Sequence, residues 1–156
     1  MKFVWTDGAD PAFSDLCRVL DAELIELNGA DVQEGFAPFN TLEDIHDVLL
    51  VLDGECVAAG AGFKRFDSRT VELKRVFVRP GYRRQGLAGK VIGALEQRAR
   101  EQRYTRMLVE TGTAMEGAQR LYASLGYTPC PKFPPYVGNP HSACFCKELT
   151  KENCHV

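Results

Sequence analysis

The stretch Val76-Phe77-Val78-Arg79-Pro80-Gly81-Tyr82-Arg83-Arg84-Gln85-Gly86-Leu87-Ala88-Gly89-Lys90 has the residue types of an anion cradle. An apolar strand ends, a Gly- and Arg-rich loop follows, and a helix begins at once. The first turn of a helix carries unpaired N–H groups and the positive end of the helix dipole, so a phosphate is stabilised there. Gly86, Ala88 and Gly89 keep side chains out of the way, so a phosphate could approach the backbone closely. Arg83 and Arg84 add charge at the rim.

The familiar nucleotide motifs do not fit this loop. Gly81 and Gly86 have the spacing of a P-loop, but Leu87 stands where a lysine must be. Gly86-Leu87-Ala88-Gly89 lacks the spacing of a dinucleotide fingerprint, and the strands before it read as antiparallel hairpins, against a Rossmann unit. Nucleic-acid binding would use the same arginines, yet the N-terminal part is strongly acidic and there is no aromatic-basic surface motif. A small phosphorylated ligand fits best.

The elements that must position these groups follow from periodicity. Residues 2–6 alternate as a first strand. After Pro11, Phe13, Leu16, Cys17, Leu20, Leu24 and Leu27 recur at helical steps until Asn28-Gly29. Residues 29–40 read as polar and irregular, and Thr41-Leu42-Glu43-Asp44 as a short capped helix. Residues 48–52 and 56–63 flank Asp53-Gly54 as a hairpin, and a turn at Asp67-Ser68 leads to a strand over 71–78. A helix carrying Leu87, Val91, Leu95 and Ala99 ends near Gln102, and a short strand covers 107–111. Ala114, Ala118, Leu121, Tyr122 and Leu125 then share one face of a helix closed by Gly126. A Pro-rich loop precedes a last strand over 142–149. The order β-α-α-β-β-β-α-β-α-β-β predicts an α/β (α+β) fold with a mixed sheet of about seven strands and four helices, in a single domain over residues 1–156.

Composition narrows the function. The 156 residues are 45% hydrophobic and 26% charged, as in ordinary globular proteins. The net charge of −2 conceals an asymmetry, because residues 1–63 hold 13 acidic and two basic side chains, whereas residues 74–106 hold ten basic and two acidic. Charge so segregated can mark one anionic and one cationic ligand, or simply a basic helix face. No apolar run reaches the length of a membrane span. The six cysteines, at 17, 56, 130, 144, 146 and 154, include no CxxC pair. Residues 1–6 lead straight into the polar 7–11, so a cytoplasmic protein with reduced thiols is expected. Cys144, Cys146, His141 and His155 do not have a known metal-ligand spacing, and no metal is expected.

Arg83-x-x-Gly86-x-Ala88 at a strand-to-helix junction resembles the (Gln/Arg)-x-x-Gly-x-(Gly/Ala) loop of the GCN5-related N-acetyltransferase (GNAT) superfamily. Glu72-Leu73-Lys74-Arg75-Val76-Phe77-Val78 before it, Leu121-Tyr122-x-x-Leu125-Gly126-Tyr127 after it and the element order extend the resemblance over essentially the whole chain. It implies the GNAT fold and acetyl-CoA as cosubstrate. By resemblance, Arg83, Arg84, Gln85, Gly86, Leu87 and Ala88 wrap the pyrophosphate, and the backbone of Val76, Phe77 and Val78 pairs with pantetheine along a splayed strand edge. The Val76 N–H would polarise the thioester carbonyl. Tyr122 matches the tyrosine that protonates the departing thiolate, although its place beside Ala118 and Leu125 also suits a packed core residue.

Glu72 stands where several members carry a general base, acting through water; a solvated carboxylate or a partner for Lys74 or Arg75 is the competing reading. Glu110, Glu34 and His46 are alternative bases. One departure is Met115, which occupies a place often held by asparagine. The acceptor side would be built from residues 29–40, with Asp31 and Glu34, and 131–141, with Phe133, Tyr136 and His141. That lining suits a small-molecule amine. The expected function is acetyl transfer to a primary amine in a ternary complex, with a non-catalytic CoA-binding sensor or a protein-lysine or N-terminal acetyltransferase as alternatives. A homodimer is compatible with the resemblance, and neither nucleic acid nor membrane is an expected partner.

Overall fold

The computed structural model of the protein describes residues 1–150. In chain order these form β1 (Lys2–Thr6), α1 (Pro11–Asn28), α2 (Ala30–Phe36), β2 (Ile45–Asp53), β3 (Cys56–Arg65), β4 (Thr70–Val78), α3 (Leu87–Glu101), β5 (Arg106–Gly112), α4 (Glu116–Ser124), β6 (Thr128–Pro129) and β7 (Ser142–Glu148). The seven strands make one mixed sheet in the order β1-β2-β3-β4-β5-β7-β6. The expected α/β architecture and element order are therefore present. The chain divides into two compact units, Met1–Lys64 with Lys74–Leu95 and Arg65–Leu73 with the chain from Glu96 onward.

In the first unit, Asp10 caps α1 by accepting the Ala12 N–H at 2.9 Å, and Pro11 opens the helix where its missing N–H costs nothing. The apolar face of α1 buries Phe13, Leu16, Cys17 and Leu20 against Ile45, Val48 and Leu50 of β2 and Phe77 of β4. Full burial of each large aliphatic or aromatic side chain is worth roughly 1.5–3 kcal/mol. The second helix is not where the sequence suggested. It occupies Ala30–Phe36, within the segment read as irregular, and a 3-10 turn follows over Ala37–Phe39. Residues 41–44 form a turn instead. The Gly8 N–H donates to the Ile45 carbonyl at 2.7 Å, and a Cβ at Gly8 would lie 2.3 Å from the Leu42 carbonyl oxygen. Backbone drawn that close leaves no room for a helical turn.

In the second unit, β4 pairs parallel with β5 from Thr70↔Arg106 to Leu73↔Val109, and β5 pairs antiparallel with β7 from Arg106↔Glu148 to Gly112↔Ser142. Side chains alternate across a sheet, so Glu72, Leu108, Glu110, Ser142, Cys144 and Cys146 share one face. Glu96, near the end of α3, accepts from the Tyr127 hydroxyl at 2.7 Å and from Lys147 Nζ at 3.0 Å. Lys147 also donates to the Leu125 carbonyl at 2.8 Å, which satisfies the C-terminal turn of α4.

Candidate active site

The Gly- and Arg-rich loop lies wholly in the first unit. A 3-10 turn over Pro80–Tyr82 ends β4's run, and the Arg83 N–H donates to the Pro80 carbonyl at 3.4 Å. The ladder of α3 then begins with Lys90 N–H on the Gly86 carbonyl at 3.1 Å. Among the described residues, the backbone N–H groups of 84–89 donate to no protein acceptor. Arg84 and Gly86 take φ of 67° and 74°. Left-handed residues alternating with right-handed ones turn successive N–H groups toward one point, which makes an anion-binding nest. A Cβ at Gly86 would meet nothing within 4 Å, so glycine is needed there for its φ and not for space.

The two arginines at the rim differ. Arg83 donates from Nη2 to both Glu23 carboxylate oxygens at 2.9 Å and from Nε to the Val78 carbonyl at 2.8 Å. Its guanidinium also lies 5.5 Å from the Phe77 ring centroid. Arg84 is exposed and has no side-chain partner among the described residues. Gln85 and Gly86 are exposed, Leu87 is buried, and Ala88 is half-buried. Upstream, Phe77 packs in the core while Val76 and Val78 are half-buried. Arg75 has φ of 60°, a strained value for a non-glycine residue in a strand. Its side chain is held by Asp21 and by the Cys17 carbonyl.

The proton-handling candidates gather in the second unit. Glu72 is 2% exposed and Tyr136 1%, and the Tyr136 hydroxyl donates to Glu72 Oε2 at 2.9 Å. The reading of Glu72 as a solvated strand carboxylate is thereby corrected. Burial, and then the charges of Glu72 and Glu110, push the Tyr136 phenol above its ordinary range, so it stays a neutral donor. Ser142 Oγ donates to Glu110 Oε2 at 2.9 Å on the same face. Tyr136 stacks edge-on against Phe133 at 5.4 Å, and Phe133 against Phe66 at 5.6 Å.

Tyr122 is 5% exposed on α4, and its ring meets Tyr127 edge-on at 5.9 Å. Burial, then the charge of Glu110, push its phenol upward. Among the described residues its hydroxyl makes no hydrogen bond. A protonated phenol without a protein acceptor can donate to a ligand. Met115 precedes α4 as a cap without a side-chain hydrogen bond, so this helix start has no amide side chain to offer.

The other expected residues are dispersed. Asp31, Glu34 and His46 are exposed in the first unit, and His141 is exposed in the second. Sequence reasoning named Tyr136 as aromatic lining but missed its bond to Glu72, and it missed the bond from Ser142 to Glu110. Among the described residues no group of three or more His, Cys, Asp or Glu is arranged to hold a metal, and the five described cysteines are unpaired. Cys154 and His155 lie outside the described residues. Among the described residues no helix is long and apolar enough to cross a membrane.

Residues 16–127 match the profile described as the Acetyltransferase (GNAT) family. The chain is 30% identical over 105 residues to the uncharacterized N-acetyltransferase YedL of Escherichia coli, an alignment covering 66% of each chain. It is 36% identical over 59 residues to human N-acetyltransferase 8, spanning 38% of this chain and 26% of that one. Among solved structures, a Klebsiella pneumoniae protein described as an acyl-CoA N-acyltransferase superposes with a TM-score of 0.79 at 24% identity, covering 96% of this chain and 97% of that one. Another, yncA of Salmonella typhimurium, was solved with its cofactor acetyl-CoA and superposes with a TM-score of 0.67 at 19% identity, covering 100% and 98%. With the profile spanning well over half its length, the chain belongs to the acetyltransferase (GNAT) family.

Proposed function

We propose that the protein transfers an acetyl group from acetyl-CoA to a primary amine of a small molecule by direct attack in a ternary complex. The observation that carries this reading is the run of undonated backbone N–H groups over 84–89, with left-handed residues at Arg84 and Gly86. Such a nest suits a pyrophosphate, and acetyl-CoA presents one. The acetyl-CoA bound in the related yncA structure supports the same cosubstrate. Arg84 supplies a guanidinium without a competing protein carboxylate, and the backbone of Val76, Phe77 and Val78 is assigned to the pantetheine arm.

Chemistry then requires two protons to leave the amine and one to reach the sulfur. The acceptor ammonium must lose a proton before its lone pair can attack the thioester carbon, and Glu72 takes that proton, through water. The C–N bond forms as the C–S bond breaks, and the electron pair leaves on sulfur. Tyr122 donates to that sulfur, and the second proton of the former ammonium leaves the nitrogen and restores the phenol through water, giving the amide and free CoA thiol. General acid or base groups typically contribute roughly 10²–10⁴-fold each. The buried carboxylate of Glu72, with Glu110 on the same sheet face, supports an amine acceptor, because negative charge attracts its ammonium form.

The test is DTNB detection of released thiol over an amine panel, with Tyr122→Phe as control. Thiol release that depends on the amine and falls about 10²-fold in that variant agrees with the reading. Thermal stabilisation by CoA without turnover on any acceptor would instead identify a CoA-binding sensor.

A further inference from the structure

We propose that Tyr136 is a positioning residue for this reaction, holding the Glu72 carboxylate in the orientation from which it accepts the acceptor's proton. The inference rests on the reading of Glu72 as the base.

The geometry that carries it is a chain of restraints ending at one carboxylate oxygen. The Tyr136 N–H donates to the Phe133 carbonyl at 2.8 Å, and the Tyr136 carbonyl accepts the Asn139 N–H at 2.9 Å. Its ring is clamped edge-on by Phe133, itself clamped edge-on by Phe66, both at interplanar angles of 84°. The hydroxyl of the ring so held meets Glu72 Oε2 at 2.9 Å. Glutamate has three rotatable side-chain bonds, and the strand backbone fixes only where they start. A buried donor on Oε2 narrows the orientations open to the carboxylate and so the direction of its lone pairs.

Tyr136 does not act as a proton carrier. It is 1% exposed, and burial beside Glu72 keeps the phenol protonated. Its effect on the base is geometric. Fixing the carboxylate improves the transfer geometry, and a misplacement of about 1 Å can cost about 10²-fold, so removing the hydroxyl slows the reaction.

The experiment compares wild type, Tyr136→Phe, Glu72→Gln and the double variant by thiol release at saturating acetyl-CoA. Two acceptor probes of similar shape are used. Phenethylamine is an ammonium at neutral pH, and O-benzylhydroxylamine is already neutral. We expect Tyr136→Phe to lower kcat with phenethylamine about tenfold, leave the KM for acetyl-CoA unchanged and slow O-benzylhydroxylamine less than about twofold. In the Glu72→Gln background the same change has no further effect, because the group it positions is gone. Phe133→Leu keeps the hydroxyl but loosens the clamp, and gives an intermediate loss even if Tyr136→Phe proves unstable. The proposal is overturned if Tyr136→Phe is as fast as wild type or faster. It is also overturned if both probes slow equally, or if the two losses multiply in the double variant. Full activity of Glu72→Gln removes the base assignment itself, a failure distinct from an inactive Glu72→Gln with an unimpaired Tyr136→Phe. Wild type that releases thiol from neither probe nor any panel amine counts against the amine reading and the positioning role together.

Discussion

Arg83 closes with one nitrogen on both carboxylate oxygens of Glu23 at 2.9 Å, although it borders the loop whose amides are free to hold an anion. The Arg83 side chain is 42% exposed and that of Glu23 28%, so the pair is screened by water. It is also anchored without Glu23, by the Val78 carbonyl and the Phe77 ring. Glu23 therefore competes with a bound pyrophosphate more than it supports Arg83. Glu23→Gln is expected to lower the KM for acetyl-CoA about two- to fivefold at low salt, the range of an exposed ion pair, with the difference fading at high salt. A raised KM would show that Glu23 positions Arg83 instead.

Gly86→Ala separates conformation from space at the nest. Nothing lies within 4 Å of the added Cβ, so any effect comes from φ of 74°. Holding alanine in that region costs about 1–2 kcal/mol, and relief by moving to negative φ would turn the neighbouring amides away from a common point. The expected outcome is a drop in Tm of several degrees and a KM for acetyl-CoA raised tenfold or more, with kcat at saturation changed little. Unchanged KM in a folded variant would remove the nest from the binding site.

The strand-to-helix junction at the loop was legible in the sequence because a proline and small residues with glycine in a row mark a turn that backbone alone makes. The conformation of Arg75 was not, because φ of 60° there is imposed by tertiary anchoring to Asp21 and Cys17, and its residue type gives no hint. Helix α2 was misplaced for a related reason. Thr41 to Asp44 have capping chemistry, but Gly8 takes the space, while Ala30–Phe36 starts at Gly29 with no side-chain cap to announce it. The bond from Tyr136 to Glu72 joins residues 64 apart through a proline-rich loop, where no periodicity exists to read.

The buried ion pair of Lys147 and Glu96 gives a stability prediction. Glu96 has a side chain 6% exposed and takes donors on both oxygens, from Lys147 and Tyr127. Removing one partner of such a pair leaves a buried charge underserved, at a cost of about 3–5 kcal/mol when fully buried. Lys147 is 24% exposed, so water offsets part of this, and Lys147→Met is expected to cost about 2–3 kcal/mol in urea unfolding. Tyr127→Phe loses one hydrogen bond to a charged group and should cost about 1.5–3 kcal/mol. Because both act on Glu96, the double variant should fall short of the sum. Simple additivity would mean that the two bonds are independent.

Alkaline pH offers a test of burial that is independent of catalysis. Four of the five tyrosines have phenols pushed above the ordinary value of 10.0: Tyr82 chiefly by its hydrogen bond to Asp53, and Tyr122, Tyr127 and Tyr136 chiefly by burial and then by nearby carboxylates. In the unfolded chain the three buried phenols ionise near that ordinary value. Their contribution to stability is therefore complete below about pH 10 and declines above it, as the unfolded state sheds protons the folded state keeps. Each phenol adds a slope of about 1.36 kcal/mol per pH unit, so three together lower the unfolding free energy by about 4 kcal/mol per unit. Urea titrations across that range should show this slope, and tyrosinate absorbance from these rings should appear with unfolding. Tyr136→Phe and Tyr122→Phe should each flatten the slope by one proton. If all five tyrosines ionise near pH 10 in a protein that stays folded, the burial of these three phenols is disproved.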